Sequence, residues 1–70
     1  MNEYRIIVNG KIQAVQSYGG AEMAVRGIMC WYGEGTYFTV LDSENNATVF
    51  QIGASGNPIS GYRELVKISS

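Results

Sequence analysis

Glu3–Gln16, EYRIIVNGKIQAVQ, decides the fold. At its middle stands Asn9-Gly10, a pair that tolerates the positive φ angles of a type I′ turn and is the strongest short hairpin signal. On either side, Glu3–Val8 and Lys11–Gln16 are rich in β-branched and aromatic side chains. A tight hairpin is therefore expected. Alternation along its first strand puts Tyr4, Ile6 and Val8 on one face and Arg5 and Ile7 on the other.

Outward from this hairpin the period changes. Tyr18-Gly19-Gly20 breaks the alternation, and Ala21–Tyr32, AEMAVRGIMCWY, follows. Ala21, Ala24, Val25, Ile28, Met29 and Tyr32 fall at i, i+3, i+4, i+7, i+8 and i+11, a single helical stripe. The spacing predicts one helix over 21–32, with Gly33 as its left-handed C-terminal stop. Glu22 suits the positive end of the helix dipole, and Gly20 substitutes for the missing polar cap. Gly27 is the weak point, costing about 1 kcal/mol against alanine.

A second hairpin is expected from Thr36–Leu41 and Thr48–Ile52, joined by the polar turn formers Asp42–Asn46. Gly53–Gly61, with three glycines and the chain's one proline, reads as a loop. Tyr62–Ile68 reads as a short edge strand rather than a second helix. The plan is α+β, ββαβββ: an antiparallel sheet with one helix packed on one face. Residues 1–70 make a single domain, since the length leaves no room for a second.

A chain this short hides only about 60% of the surface that its unfolded form exposes, so good packing or a partner subunit matters. The single cysteine, Cys30, rules out an internal disulfide. With no histidine, the four-ligand set of a structural zinc site is missing as well. Five basic residues against six acidic ones leave a net charge of −1. That balance disfavours a general nucleic-acid binder, which needs clustered cations. It also does little to keep copies apart. No run of the ~20 apolar residues that span a membrane occurs. Nor does a signal-peptide core, and a cytoplasmic setting is expected.

Catalytic groups are sparse. The commonest general base, histidine, is absent. Cys30 lies mid-helix between Met29 and Trp31, without the cationic neighbours that activate a thiol. Asp42–Asn46 faintly suggests calcium but lacks the glycine and distal glutamate of an EF-hand loop. Gly33-Glu34-Gly35 precedes a strand and Gly19-Gly20 lacks the residues of a phosphate loop, so both read as turns. Tyr37, Phe38 and Phe50 could stack bases, although core packing explains Phe38 and Phe50 better. No enzyme activity and no metal or organic cofactor is expected.

What remains is surface chemistry behind the helix stripe. Met23, Arg26, Gly27, Cys30 and Trp31 are the candidate partner-binding set. A helix apolar on most of its circumference is buried on both sides or meets a partner, and Trp and Met are enriched at interface centres. The competing reading folds Trp31 down over the sheet edge and leaves scattered surface apolarity, which is normal.

EYRIIVNGKIQAVQ, AEMAVRGIMCWYG and TYFTVLDSENNATVFQI together resemble, in size and hairpin–helix–hairpin plan, the small anti-CRISPR and related anti-defence proteins of phages and mobile elements. The resemblance spans most of the chain and assigns no site residues. It implies an inhibitor that blocks a bacterial defence protein sterically. Two other functions stand beside it. One is a structural homo-oligomer, drawn together by low charge and an exposed edge strand. The other is nucleic-acid binding, should Arg5, Lys11 and Lys67 converge.

Overall fold

The Asn9-Gly10 turn forms as its chemistry requires, with φ of 50° and 77°. In the computed structural model, which describes residues 2–57 and 62–69, it joins β1 (Asn2–Val8) to β2 (Lys11–Ser17). The two strands pair in unbroken antiparallel register from Asn2↔Ser17 to Val8↔Lys11. Tyr4, Ile6 and Val8 are all buried, as the alternation predicts.

After β2 come α1 (Ala21–Arg26), a 3-10 turn at Met29–Trp31, β3 (Tyr37–Leu41), β4 (Ala47–Asn57) and β5 (Tyr62–Ser69). The five strands form one antiparallel sheet in the order β2-β1-β3-β4-β5. This order explains where the helix lies. Since β1 sits between β2 and β3, the chain leaving β2 must cross over β1 to reach β3. The crossing carries α1 and the 3-10 turn over one face, where α1 meets β1, β2 and β3. The fold is α+β, with the helical segment between β2 and β3.

The single helix expected over 21–32 is a correction. The α-helix ends at Arg26, and Gly27 is its C-cap. Beyond it, Ile28 N–H bonds the Val25 carbonyl, Trp31 N–H that of Ile28 and Tyr32 N–H that of Met29, all i→i−3. The tighter 3-10 winding replaces α geometry where glycine weakens the ladder. Gly33 is not the stop, because Tyr32 before it is already extended. The stripe nevertheless survives the break. Ala24, Val25 and Met29 are in the core, and Ala21, Ile28 and Tyr32 pack against it. Gly20 is more than a cap substitute: its φ of 88° and ψ of −170° lie where only glycine sits comfortably.

β4 is longer than expected. Gly53–Asn57, read from its glycines as loop, continues the strand, and pairing with β5 accommodates it through register shifts between Ile52 and Ser55 and between Ser55 and Asn57. Irregular residues stay in a sheet when a bulge absorbs the mismatch. The rest of that expected loop, 58–61, lies outside the described residues. β5 is an edge strand.

The turn between β3 and β4 is held by one side chain. The Asp42 carboxylate accepts hydrogen bonds from the Glu44 N–H (2.8 Å), the Asn46 N–H (2.9 Å) and the Asn46 side-chain amide (3.2 Å). These donors, the Asn46 backbone N–H foremost, hold the Asp42 carboxyl below its usual value of 3.8. A depressed folded-state pKa stabilises the turn above about pH 3.8, and the effect is lost as pH falls through the lower folded value. Protection of the Glu44 and Asn46 amides, measured against the intrinsic exchange rate at each pH, should therefore fall on acidification below that value. An Asp42→Asn chain should lack this pH dependence. Exchange protection that is flat with pH in the parent chain would contradict the assignment.

Candidate functional site

The described residues enclose no pocket, so the candidate site is a surface. Two parts of it stand out: the outer side of the α1 and 3-10 segment, and the sheet face that this segment leaves uncovered.

On the outer side, the five expected residues do not share one helix face. Met23 and Gly27 stand one turn apart on α1, linked by the hydrogen bond from Gly27 N–H to the Met23 carbonyl (3.1 Å). Cys30 and Trp31 belong to the 3-10 turn. The break at Gly27 distributes the set over two short elements. Arg26 is partly buried, with its Nε 3.6 Å from Glu22 Oε2 one helical turn back. It therefore helps hold α1 together, a modest surface effect.

Trp31 is 80% exposed, so it does not fold down over the sheet edge. Met23 is 51% exposed and lies against the turn before the helix, where a Cβ on Gly19 would stand 2.4 Å from Met23 Cγ. Gly19 is thus required by close approach of a side chain. Tyr18, 84% exposed, stands beside it and was missed by the sequence reading. Its signal was present: residues 12, 14, 16 and 18 continue the outward alternation of β2. Two large apolar side chains, Met23 and Trp31, thus face solvent along this segment, whereas the alternation that accounts for Tyr18 belongs to the uncovered sheet face.

The uncovered sheet face carries a cross-strand row. The pairings Ile12↔Ile7, Ile7↔Thr39 and Thr39↔Val49 place these residues side by side across four strands. Directly opposed residues share a face. Tyr37 is exposed on the same face, whereas Phe38 and Phe50 are buried on the other, so these three aromatics form no common stacking platform.

The three cations Arg5, Lys11 and Lys67 do not converge. Lys11 is on β2 and Lys67 on β5, the two opposite edges of the sheet, roughly 19 Å apart at the usual strand spacing. Arg5, on β1, donates to Asn45 Oδ1 in the β3–β4 turn. Arg63 has a task that the sequence did not reveal. From β5 its guanidinium donates to the carbonyls of Met29 and Tyr32, tying the sheet to the 3-10 turn. Gln13 Nε2 donates to the Tyr32 hydroxyl (2.6 Å) and secures the same turn from β2. Trp31 is therefore presented on a segment braced from both sides of the sheet.

Among the described residues no group of three or more Cys, Asp or Glu side chains could hold a metal, and no helix is long and apolar enough to cross a membrane. Compared with known proteins, the chain matches no family model, no curated protein and no solved structure at a significant level.

Proposed function

We propose that this chain is a non-catalytic ββαβββ protein-binding module of the cytoplasm. Its role is that of a phage or mobile-element inhibitor, occluding the surface of a bacterial defence protein as the resemblance in plan implies. One observation carries the reading: Trp31 stands 80% exposed on a turn that Arg63 and Gln13–Tyr32 brace. An exposed indole on a fixed support costs little ordering entropy when a partner covers it. Buried aromatic anchors of this kind supply much of the energy of protein interfaces. Met23 adds apolar area on the same segment.

The test compares the parent chain with a Met23→Ala/Trp31→Ala chain as baits in a bacterial lysate. Far-UV circular dichroism establishes first that both are folded. The expected result is a defined bacterial protein retained by the parent and depleted about tenfold or more on the double variant, the loss corresponding to one hot-spot side chain. Equal retention on both baits, or no retained protein, would overturn the reading.

A further inference from the structure

The two edges of the sheet are built differently. β5 carries Arg63, Glu64 and Lys67, and its pairing with β4 is broken by three register shifts. Charges and bulges are the devices by which natural edge strands avoid pairing with other chains. β2 has neither protection. It runs in unbroken register along β1, contains no proline, and its one charge is Lys11 at the first position. Among the described residues no other strand pairs with it, and the one bond it receives from a backbone group outside the β1–β2 hairpin, from Gly19 N–H (3.1 Å), goes to the Ser17 hydroxyl at its last residue and not to its backbone.

The phase of the free backbone groups follows from the hairpin. In a two-residue turn the closing pair, here Val8↔Lys11, exchanges hydrogen bonds, and such pairs alternate with non-bonded ones along the strand. Lys11, Gln13, Val15 and Ser17 therefore turn their N–H and C=O groups toward β1. Ile12, Ala14 and Gln16 turn theirs outward, unpaired.

From this asymmetry we infer that β2 pairs antiparallel with β2 of a second copy of this chain, about a two-fold axis at Ala14. The occupant is a second copy because the strand is self-complementary in that register. Ala14 meets its own equivalent and Ile12 meets Gln16, so every outward group finds a partner and about six hydrogen bonds form. Shifting the axis to Gln13 or Val15 leaves some of them unmade. The same register puts Gln13 beside Val15 and Lys11 beside Ser17, with no like charges opposed. The two Lys11 side chains end up roughly 20 Å apart, beyond the range of effective repulsion at ordinary salt. The dimer continues the five-stranded sheet into a ten-stranded one and leaves the charged β5 edges outermost. A ladder with few buried side chains is a modest interface, so micromolar association is expected. This inference rests on different residues from the protein-binding reading and stands or falls separately.

Sedimentation equilibrium of the full chain over about 10 μM to 1 mM tests it. The expected result is a rise from the 7.7 kDa chain mass to twice that value. Two variants aim at the axis. Ala14→Pro removes only an outward N–H, which an edge strand tolerates. Ala14→Lys sets like charges face to face. Each is expected to weaken association about 100-fold or more while the monomer stays folded. In the parent, amide exchange at Ile12, Ala14 and Gln16 should slow as concentration rises, with Gln13 and Val15 unchanged. A parent monomeric throughout would overturn the inference. So would a dimer that survives both variants, or one whose Ile12, Ala14 and Gln16 amides stay unprotected.

Discussion

Phe38→Ala is expected to lower the midpoint of thermal unfolding by about 12 °C or more. Phe38 is completely buried on the covered side of β3. Its ring meets Tyr32 edge-to-face at 5.4 Å, and it is paired across the sheet with Phe50. Truncating a buried phenylalanine removes about 3–5 kcal/mol, from lost burial and the cavity left behind. A domain of this length has roughly 4–10 kcal/mol in total, so the deletion takes at least about a third of it. It also strips Tyr32 of the partner that seats the 3-10 turn. The control is the next residue in the chain. Tyr37 points to the uncovered face and is exposed, so Tyr37→Ala should cost within about 1 kcal/mol. Thermal melts followed by far-UV circular dichroism separate the two. Similar losses at both positions would mean that the assignment of faces is wrong.

The second large effect is expected at Arg63. Its guanidinium satisfies the Tyr32 carbonyl and shares the Met29 carbonyl with the Tyr32 N–H. Hydrogen bonds from a charged donor contribute about 1.5–3 kcal/mol, and leaving a partly buried carbonyl unmatched adds to the loss. Arg63→Met keeps much of the aliphatic stem and removes the fork. Its Tm should fall by about 10 °C or more, from a loss of ~2 kcal/mol in a domain of this size. Arg63→Lys should recover only part of this, because an ammonium lacks the planar fork that reaches two carbonyls at once. Exchange at the Trp31 and Tyr32 amides should rise in the Met variant, since both donate within the 3-10 turn. An unchanged Tm would show that the turn holds itself, and the brace assigned to Arg63 would fall.

These two positions differ in how far the sequence announces them. Phe38 was legible. It alternates with Tyr37 and Thr39 in a strand-like run, and only one face of such a strand can meet a helix. Arg63 was opaque. Its role depends on β5 lying close enough to the 3-10 turn for a long side chain to reach, and nothing within YRELVKI encodes that proximity. The candidate surface divides in the same way. The outward character of Met23, Gly27, Cys30 and Trp31 was readable from the stripe that they leave behind. The splitting of that surface at Gly27 was not. One interior glycine costs only about 1 kcal/mol, too little to decide between a continuous helix and a broken one. With the ladder weakened at Gly27, the 3-10 winding still brings Met29 into the core and Ile28 and Tyr32 against it.

By itself, then, the sequence determined what short-range chemistry governs. Asn9-Gly10 forms its turn because both residues accept positive φ. The strand faces follow from a period of two, and the residues of the helical stripe reach the core whether their backbone winds as α or 3-10. Tertiary structure alone decided the order β2-β1-β3-β4-β5, and with it which strands became edges. It decided the recruitment of Gly53–Asn57 into β4 and the Arg63 brace as well. These depend on pairings between residues distant in sequence, whose hydrogen bonds have no local signature. β2 shows the division most clearly: its alternation could be read from the chain, but its unprotected outer edge exists only because β3 took the other side of β1.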